Sequence, residues 1–389
     1  MSNKKTEFIV TDSLDKEPPS TRLNKEEFYK KNFPTSTPEN WNDWKWQLKH
    51  CIKSFDEINK IFGTSLSTNA IDFPMSITPH YLSLIKDVNG PLAKMFFTSD
   101  MELVKNPHCS DDPLNEEHQM PVKNLVHRYK DRALVITTSL CAGLCRYCVR
   151  KRCTNDIDHS LNDNELNGIK TYIENHPEIK DVILSGGDFL TMNNNRIEKI
   201  LTTLGSIESV DIIRIGSKIP VMMPQRIFDT ELIRILSSCP KPLYLNTHFN
   251  HPDEVSEDSI KACVILAKNG VQLGNQSVLL KDVNDKTSIL LELYRKLLKM
   301  FVKPYYAYCC DEIHGTEHFR IKFSDAQNVI DGLRGHISGL GIPTLILDSP
   351  HGLGKINVSK NHVVSIENID GVEKTTLTSF EGKLVEYYS

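Results

Sequence analysis

From about Val126 onward, short β-rich apolar runs alternate with helical stretches six times, and this alternation restricts the fold more than any other feature of the chain. The apolar runs are 133–138, 182–185, 211–215, 243–248, 271–279 and 302–308. The helical stretches are 163–175, 196–204, 230–237, 257–269, 287–300 and 325–333. Helical spacing is clear in Ile260, Cys263, Val264 and Ala267, with Ser256 placed to cap that helix and Gly270 to end it. Strands that alternate with helices pair in parallel through right-handed crossovers. Six units fall two short of a closed eight-unit barrel. The expectation is an α/β fold built on an open, partial (βα)6 barrel, with its chemistry at the C-terminal strand ends.

The flanks read differently. Residues 1–125 form a mostly helical region, with a short helix expected over 24–31. Pro74, Pro79, Pro91, Pro107 and Pro113 punctuate it like chain draped over another body. All three tryptophans, Trp41, Trp44 and Trp46, fall within six residues, on a helix that packs against the larger body. The barrel spans 126–340. The remainder, 341–389, carries a seventh strand at 343–347, a Gly-containing loop, and strand-like runs at 363–366 and 375–378.

Bulk properties exclude several classes. A net charge of −4 gives no basic excess, so nucleic acid is not an expected partner. No apolar run is long enough to cross a bilayer, so no membrane association is expected. The opening Met1-Ser-Asn-Lys-Lys-Thr-Glu lacks the apolar core of a signal peptide, which predicts a cytoplasmic protein. The ten cysteines then read as metal ligands plus core thiols rather than a disulfide framework.

Three of those thiols stand out. Cys141-Ala-Gly-Leu-Cys145-Arg-Tyr-Cys148 leaves the first strand directly. Thiolates are soft ligands for iron–sulfur clusters or zinc. Structural zinc usually takes four ligands as two pairs from different loops. One loop giving three ligands suits a cubane with one iron left open. Cys153 is a candidate fourth ligand, but it lies beyond Arg150-Lys151-Arg152, where a helix is expected.

Other candidates sit at the remaining strand ends. Ser185-Gly186-Gly187-Asp188 follows the second strand, and its glycines let a ligand approach the backbone. Arg128, Tyr129 and Arg132 lead into the first strand as a phosphate or carboxylate clamp. Lys355 lies on a Gly-containing loop after the seventh strand, where a lysine can meet a cofactor aldehyde. Asp311 and Asp348 end two strands on the same face and can bind an ammonium or guanidinium group.

The Cys-x3-Cys-x2-Cys spacing resembles that of the radical S-adenosylmethionine (radical SAM) enzymes. The whole set is similar to one family among them, the lysine 2,3-aminomutases. The likeness runs from the tryptophan segment to about Tyr388, through Ile215-Gly-Ser-Lys-Ile-Pro220, Asn246-Thr-His-Phe-Asn-His-Pro252, Gly274-Asn-Gln-Ser277 and Glu317-His-Phe-Arg320. It implies a TIM-like radical SAM barrel and three cofactors: a [4Fe-4S] cluster, S-adenosylmethionine and pyridoxal 5′-phosphate. Cys141, Cys145 and Cys148 would be the cluster ligands. Ser185, Gly186, Gly187 and Asp188 would hold S-adenosylmethionine, with Asp188 in place of a usual Glu. Lys355 would be the Schiff-base lysine, while Arg128, Tyr129, Arg132 and Gln276 would hold the pyridoxal cofactor. Arg150 would pair with the substrate α-carboxylate, and Asp311 and Asp348 with its distal cation.

The implied activity is an isomerase that moves the α-amino group of a basic amino acid to the β-carbon. Lysine leads, with arginine as runner-up and a radical enzyme acting on a protein-bound lysine as the rival. An electron donor such as flavodoxin or ferredoxin and a homo-oligomer are implied partners. Three departures from the family pattern matter. His351 and Leu353 interrupt the glycine run before Lys355. Lys286 stands where well-studied members have a zinc-binding cysteine, and no cysteine-rich tail is present, so no structural zinc is expected. Glu312 adds a carboxylate beside Asp311, which would suit a guanidinium.

Overall fold

The computed structural model describes residues 25–69, 71–154 and 159–389. A nine-stranded sheet runs in chain order: β1 (Leu125–Tyr129), β2 (Arg132–Thr138), β3 (Asp181–Gly186), β4 (Ile212–Gly216), β5 (Leu243–Thr247), β6 (Gln272–Leu279), β7 (Lys303–Cys309), β8 (Thr344–Ser349) and β9 (Gly354–Asn357). Strands β2 to β8 are parallel; β1 and β9 pair antiparallel to them and form the two edges. The expected open, TIM-like barrel is therefore what the chain adopts, with helices Asp163–Glu174, Asn194–Gly205, Thr230–Ser237, Glu257–Lys268, Thr287–Lys299 and Phe323–Asp331 as its crossovers and outer layer.

Two edge strands escaped the sequence pattern. β1 turns back into β2 through Lys130 and Asp131, with Tyr129 opposite Arg132. β9 returns along β8, with Asp348 opposite Lys355. The C-terminal runs form a separate three-stranded antiparallel sheet, β10 (Val363–Ile369), β11 (Val372–Thr378) and β12 (Leu384–Tyr388).

Alternation along the strands sorts side chains into two sets. Val182, Leu184, Ile213, Ile215, Leu243 and Leu245 are buried in the core under the helices. The intervening residues, among them Ser185, Arg214, Gly216, Asn246, Gln276, Tyr306 and Tyr308, line a cavity inside the barrel.

The N-terminal region is welded to this body. Tyr29, Trp41, Tyr81 and Phe96 belong to the same continuous core as Ile213 and Leu245. The tryptophan segment is two helices, Pro38–Asn42 and Trp44–Lys49, because Asp43 ends the first and its side chain caps the second. Trp41 is fully buried, stacked 5.2 Å from Tyr29, and Trp44 lies under the Arg226 guanidinium at 4.4 Å. These rings are packing residues. The helix expected over 24–31 is Lys25–Asn32; residue 24 lies outside the described residues. No helix among the described residues is long and apolar enough to cross a membrane.

A segment just before β1 bridges the sheet's two edges. The Pro113 carbonyl accepts from His351 N at 2.8 Å, and Gln119 Nε2 donates to the Gly352 carbonyl at 3.3 Å. The same segment grips β1, since Arg128 donates to Gln119 Oε1 and to the Leu114 carbonyl, each at 2.7 Å.

Candidate active site

The cavity inside the barrel measures about 330 Å³. Cys141, Cys145, Cys148, Arg128, Tyr129, Arg132, Arg150, Ser185, Gly186, Gly187, Asp188, Gln276, Asp311, Asp348 and Lys355 all line it. Residues singled out from seven different stretches of sequence thus share one chamber. Cys153 lies apart from it, on the short helix Lys151–Thr154.

The cysteine loop is held from outside. Leu144 N donates to the Ser76 carbonyl at 3.0 Å and Arg146 N to the Met95 carbonyl at 2.9 Å. The Arg146 side chain is fully buried and satisfied by both Glu102 oxygens, at 2.9 and 2.6 Å, and by the Phe73 and Pro74 carbonyls. With Arg146 turned away into the N-terminal region, its neighbour Cys145 is left on the cavity wall.

Gly186 and Gly187 press backbone to backbone on that loop. Gly187 N donates to the Thr138 carbonyl at 2.6 Å and Asp188 N to the Leu140 carbonyl at 2.8 Å. A Cβ on Gly187 would lie 2.3 Å from the Leu140 oxygen, and Gly186 has φ 117°. Only glycine meets both demands.

The donor chemistry suits an iron–sulfur cluster. All three thiols are free. Burial raises each thiol, and neighbouring sulfurs add to the rise at Cys141 and Cys148, the latter reaching about 11. Thiols so crowded ionise only against a strongly positive centre. Cys141, Cys145 and Cys148 come from one loop and all line the same chamber.

Asp188 is buried beyond the glycines. It accepts from Ser217 Oγ and Lys218 N, both at 2.7 Å, and from Leu190 N at 3.1 Å. Burial still raises it to about 6, against those hydrogen bonds.

Across the chamber lies the lysine hairpin. Lys355 Nζ is 2.6 Å from Asp348 Oδ2, and its backbone N donates to Tyr129 Oη at 2.7 Å. Arg128 Nη1 reaches Asp348 Oδ1 at 3.3 Å. Arg128 thus commits each guanidinium nitrogen to protein, whereas Arg132 stacks over the Tyr129 ring at 4.5 Å and stays partly exposed. Asp311, half-buried, lines the same chamber. Burial first, and then the Asp348 charge, push it up to about 7, against Lys355 and Arg150.

Sequence reasoning missed four contributors. Glu116 holds Arg150, with Oε1 2.6 Å from Nη2 and Oε2 3.0 Å from Nε. Burial opposes its charge, but Arg150 and Arg152 hold it at about 2. Lys218 lines the cavity and pairs with buried Glu254 at 2.9 Å. His248 donates from Nδ1 to the Gln276 carbonyl at 3.1 Å; burial, then Lys218, lower it to about 4, so it is neutral at pH 7. Tyr308 lies against Lys355, whose Nζ is 5.7 Å from the ring centre. Lys218 and His248 stand inside stretches noted for the family likeness; Glu116 carries no such signal.

Three expected neighbours stand off the cavity wall. Glu312 is partly exposed and pairs with Arg320 at 3.3 Å. His351 takes φ 62° in the hairpin loop, and Leu353 is 83% exposed. Their effect on the chamber runs only through the loop they shape.

The comparisons agree with this architecture. The family model described as Lysine-2,3-aminomutase matches residues 330–389. An L-lysine 2,3-aminomutase from Clostridium subterminale is 42% identical over 363 residues, covering 91% of this chain and 86% of the relative. One from Bacillus subtilis (strain 168) is 40% identical, covering 90% of this chain and 74% of the relative. A glutamate 2,3-aminomutase from Clostridioides difficile (strain 630) is 36% identical, covering 90% and 83%. With a TIM-like barrel of seven parallel strands behind it, the chain belongs to the lysine 2,3-aminomutase family, whose aminomutases are isomerases.

Proposed function

We propose that the protein is a radical SAM, pyridoxal phosphate-dependent 2,3-aminomutase acting on a basic amino acid, L-lysine first. The observation that carries this reading is the pair Asp311 and Asp348 in one chamber with Lys355 and Arg150. A carboxylate pair suits a substrate with a distal cation, and a guanidinium suits its α-carboxylate. Glu312 pairs with Arg320 away from the chamber, which favours lysine over the broader guanidinium of arginine.

When bound, the cluster with S-adenosylmethionine supplies a hydrogen-abstracting radical, and pyridoxal phosphate supplies the carbonyl that takes the α-amine. Cys141, Cys145 and Cys148 would hold the cluster, leaving an iron open. Ser185, Gly186, Gly187 and Asp188 would hold S-adenosylmethionine. Lys355, Tyr129, Arg132, Arg128 and Gln276 would hold the pyridoxal group, with Arg132 the freer cation for its phosphate. Arg150 binds the carboxylate and the aspartates bind the side-chain ammonium, which fixes the α- and β-carbons between them. The barrel wall keeps water from reactive species. A cytoplasmic, reducing setting, a flavodoxin- or ferredoxin-like electron donor and a homo-oligomer complete the proposal.

The test is an anaerobic competition. The reconstituted enzyme, with pyridoxal phosphate, S-adenosylmethionine and dithionite, is offered equimolar lysine, arginine and glutamate, and β-amino acids are resolved by chromatography. The expected product is β-lysine. β-Arginine moves the assignment to the runner-up. Accumulation of 5′-deoxyadenosine with no β-amino acid rejects all three substrates and leaves a larger one, such as a protein-bound lysine.

A further inference from the structure

Arg150 is the cavity cation whose orientation is settled by a residue that the reaction itself does not call for. A guanidinium has a side edge, Nε with one terminal nitrogen, and an end edge made of both terminal nitrogens. Glu116 covers the side edge, Oε2 lying 3.0 Å from Nε and Oε1 2.6 Å from Nη2. Ser185 Oγ accepts from Nη1 at 3.3 Å. The end edge is left for a ligand, and Arg150 lines the chamber.

Glu116 is itself fixed. Its side chain is 3% exposed, and Arg152 Nη2 lies 3.2 Å from its Oε2. Arg152 in turn pairs with Asp112 at 3.1 Å and Glu117 at 3.3 Å, so Glu116 is held within a wider ion network and not by Arg150 alone. Glu116 also belongs to the segment that bridges the sheet edges, two residues after Leu114, whose carbonyl holds Arg128.

We propose that Glu116 is the positioning residue for Arg150, presenting its end edge to the substrate carboxylate and removing most of the freedom that carboxylate would otherwise have to freeze out. Ordering a long flexible side chain opposes binding, and a pre-set fork avoids that cost. The inference rests on the reading of Arg150 as the carboxylate anchor.

The experiment is a calorimetric titration of unreduced, anaerobic holoenzyme with lysine and with lysine amide, which keeps the distal ammonium but lacks the carboxylate. Wild type is expected to prefer lysine at least tenfold. Glu116→Gln, nearly the same shape without the charge, is expected to shrink that preference below threefold, and Glu116→Asp to fall between. A stabilising ion pair alone would lower the melting temperature of Glu116→Gln and leave the preference unchanged, which overturns the proposal. If Glu116→Gln does not fold, Glu116→Asp decides by the same ratio, and a wild-type preference there overturns it. Equal affinity of wild type for both ligands overturns the anchoring role of Arg150, and the positioning role with it.

Discussion

Asp348 and Lys355 face each other across the β8–β9 hairpin, with Lys355 Nζ 2.6 Å from Asp348 Oδ2 and Arg128 Nη1 3.3 Å from its other oxygen. The carboxylate is therefore already between two cations of the chain. A substrate ammonium at Asp348 must share it with Lys355. Hydrogen bonds to a charged group contribute about 1.5–3 kcal/mol each. Asp348→Asn is expected to lower turnover of a cationic amino acid more than tenfold while slowing cleavage of S-adenosylmethionine far less. Rates of β-amino acid and 5′-deoxyadenosine formation, measured side by side, check this; equal losses would make Asp348 structural.

Asp311 gives the site a pH dependence. It holds its proton up to about pH 7. A neutral carboxyl attracts a cation weakly, so affinity for a basic amino acid should rise as pH climbs toward and through that value. Asp311→Asn should weaken binding at pH 8 and flatten the profile. The sign for stability is opposite. The folded state keeps a proton that the unfolded chain loses near pH 4, so stability falls as pH rises from about 4 to about 7 and the loss remains in full above that. The melting temperature of Asp311→Asn relative to wild type should therefore increase across that window.

Cys145→Ala should remove the brown iron–sulfur absorbance and the bound iron of the reconstituted protein. Arg146 and the backbone anchors to Ser76 and Met95 do not depend on the sulfur. The fold should lose only about 1 kcal/mol. Iron content and thermal melting of the metal-free chain separate the two effects. Retention of the full iron content would remove Cys145 from the ligand set.

Gly187→Ala and Gly168→Ala should move in opposite directions. The new methyl at 187 meets the Leu140 carbonyl oxygen at 2.3 Å, and backbone must shift to admit it. The cost is about 1–3 kcal/mol, with weakened binding of S-adenosylmethionine. Gly168 sits exposed within helix Asp163–Glu174 with nothing within 4 Å of a new Cβ. Alanine there should add about 0.5–1 kcal/mol. Melting curves of both variants test the pair.

What could be read from the sequence was set by periodicity and by local spacing. The six longer helices after Leu161 and strands β2 to β8 follow from alternation that repeats over long runs, and they are where the pattern placed them. Three cysteines within one loop announce themselves by spacing alone. β9 could not be read in this way. It has four residues, Gly-Lys-Ile-Asn, of which the last three are exposed, so no buried face marks it as a strand. Lys355 was therefore expected on a loop, yet it stands opposite Asp348 in a hairpin. Glu116 was missed because an isolated acid in an irregular segment acquires its partner, Arg150, only through tertiary contact 34 residues away. The barrel's polar lining was half visible: Ser185 and Gln276 emerged from motifs, while His248 and Lys218 needed neighbours from other strands to be distinguished.

The sheet's open edge has a mechanical meaning. In a closed barrel each strand is clamped on both sides, but β9 pairs as a strand with β8 alone, and among the described residues it reaches β1 through the hydrogen bond from Lys355 N to Tyr129 Oη. Elements with fewer shared bonds open at lower free energy than the centre of a sheet. Amide hydrogens of β9 should exchange well before those of β4, β5 and β6. The lysine thus rides on an edge that opens before the middle of the sheet, and mild warming is expected to loosen its place opposite Asp348 while the central strands are still protected.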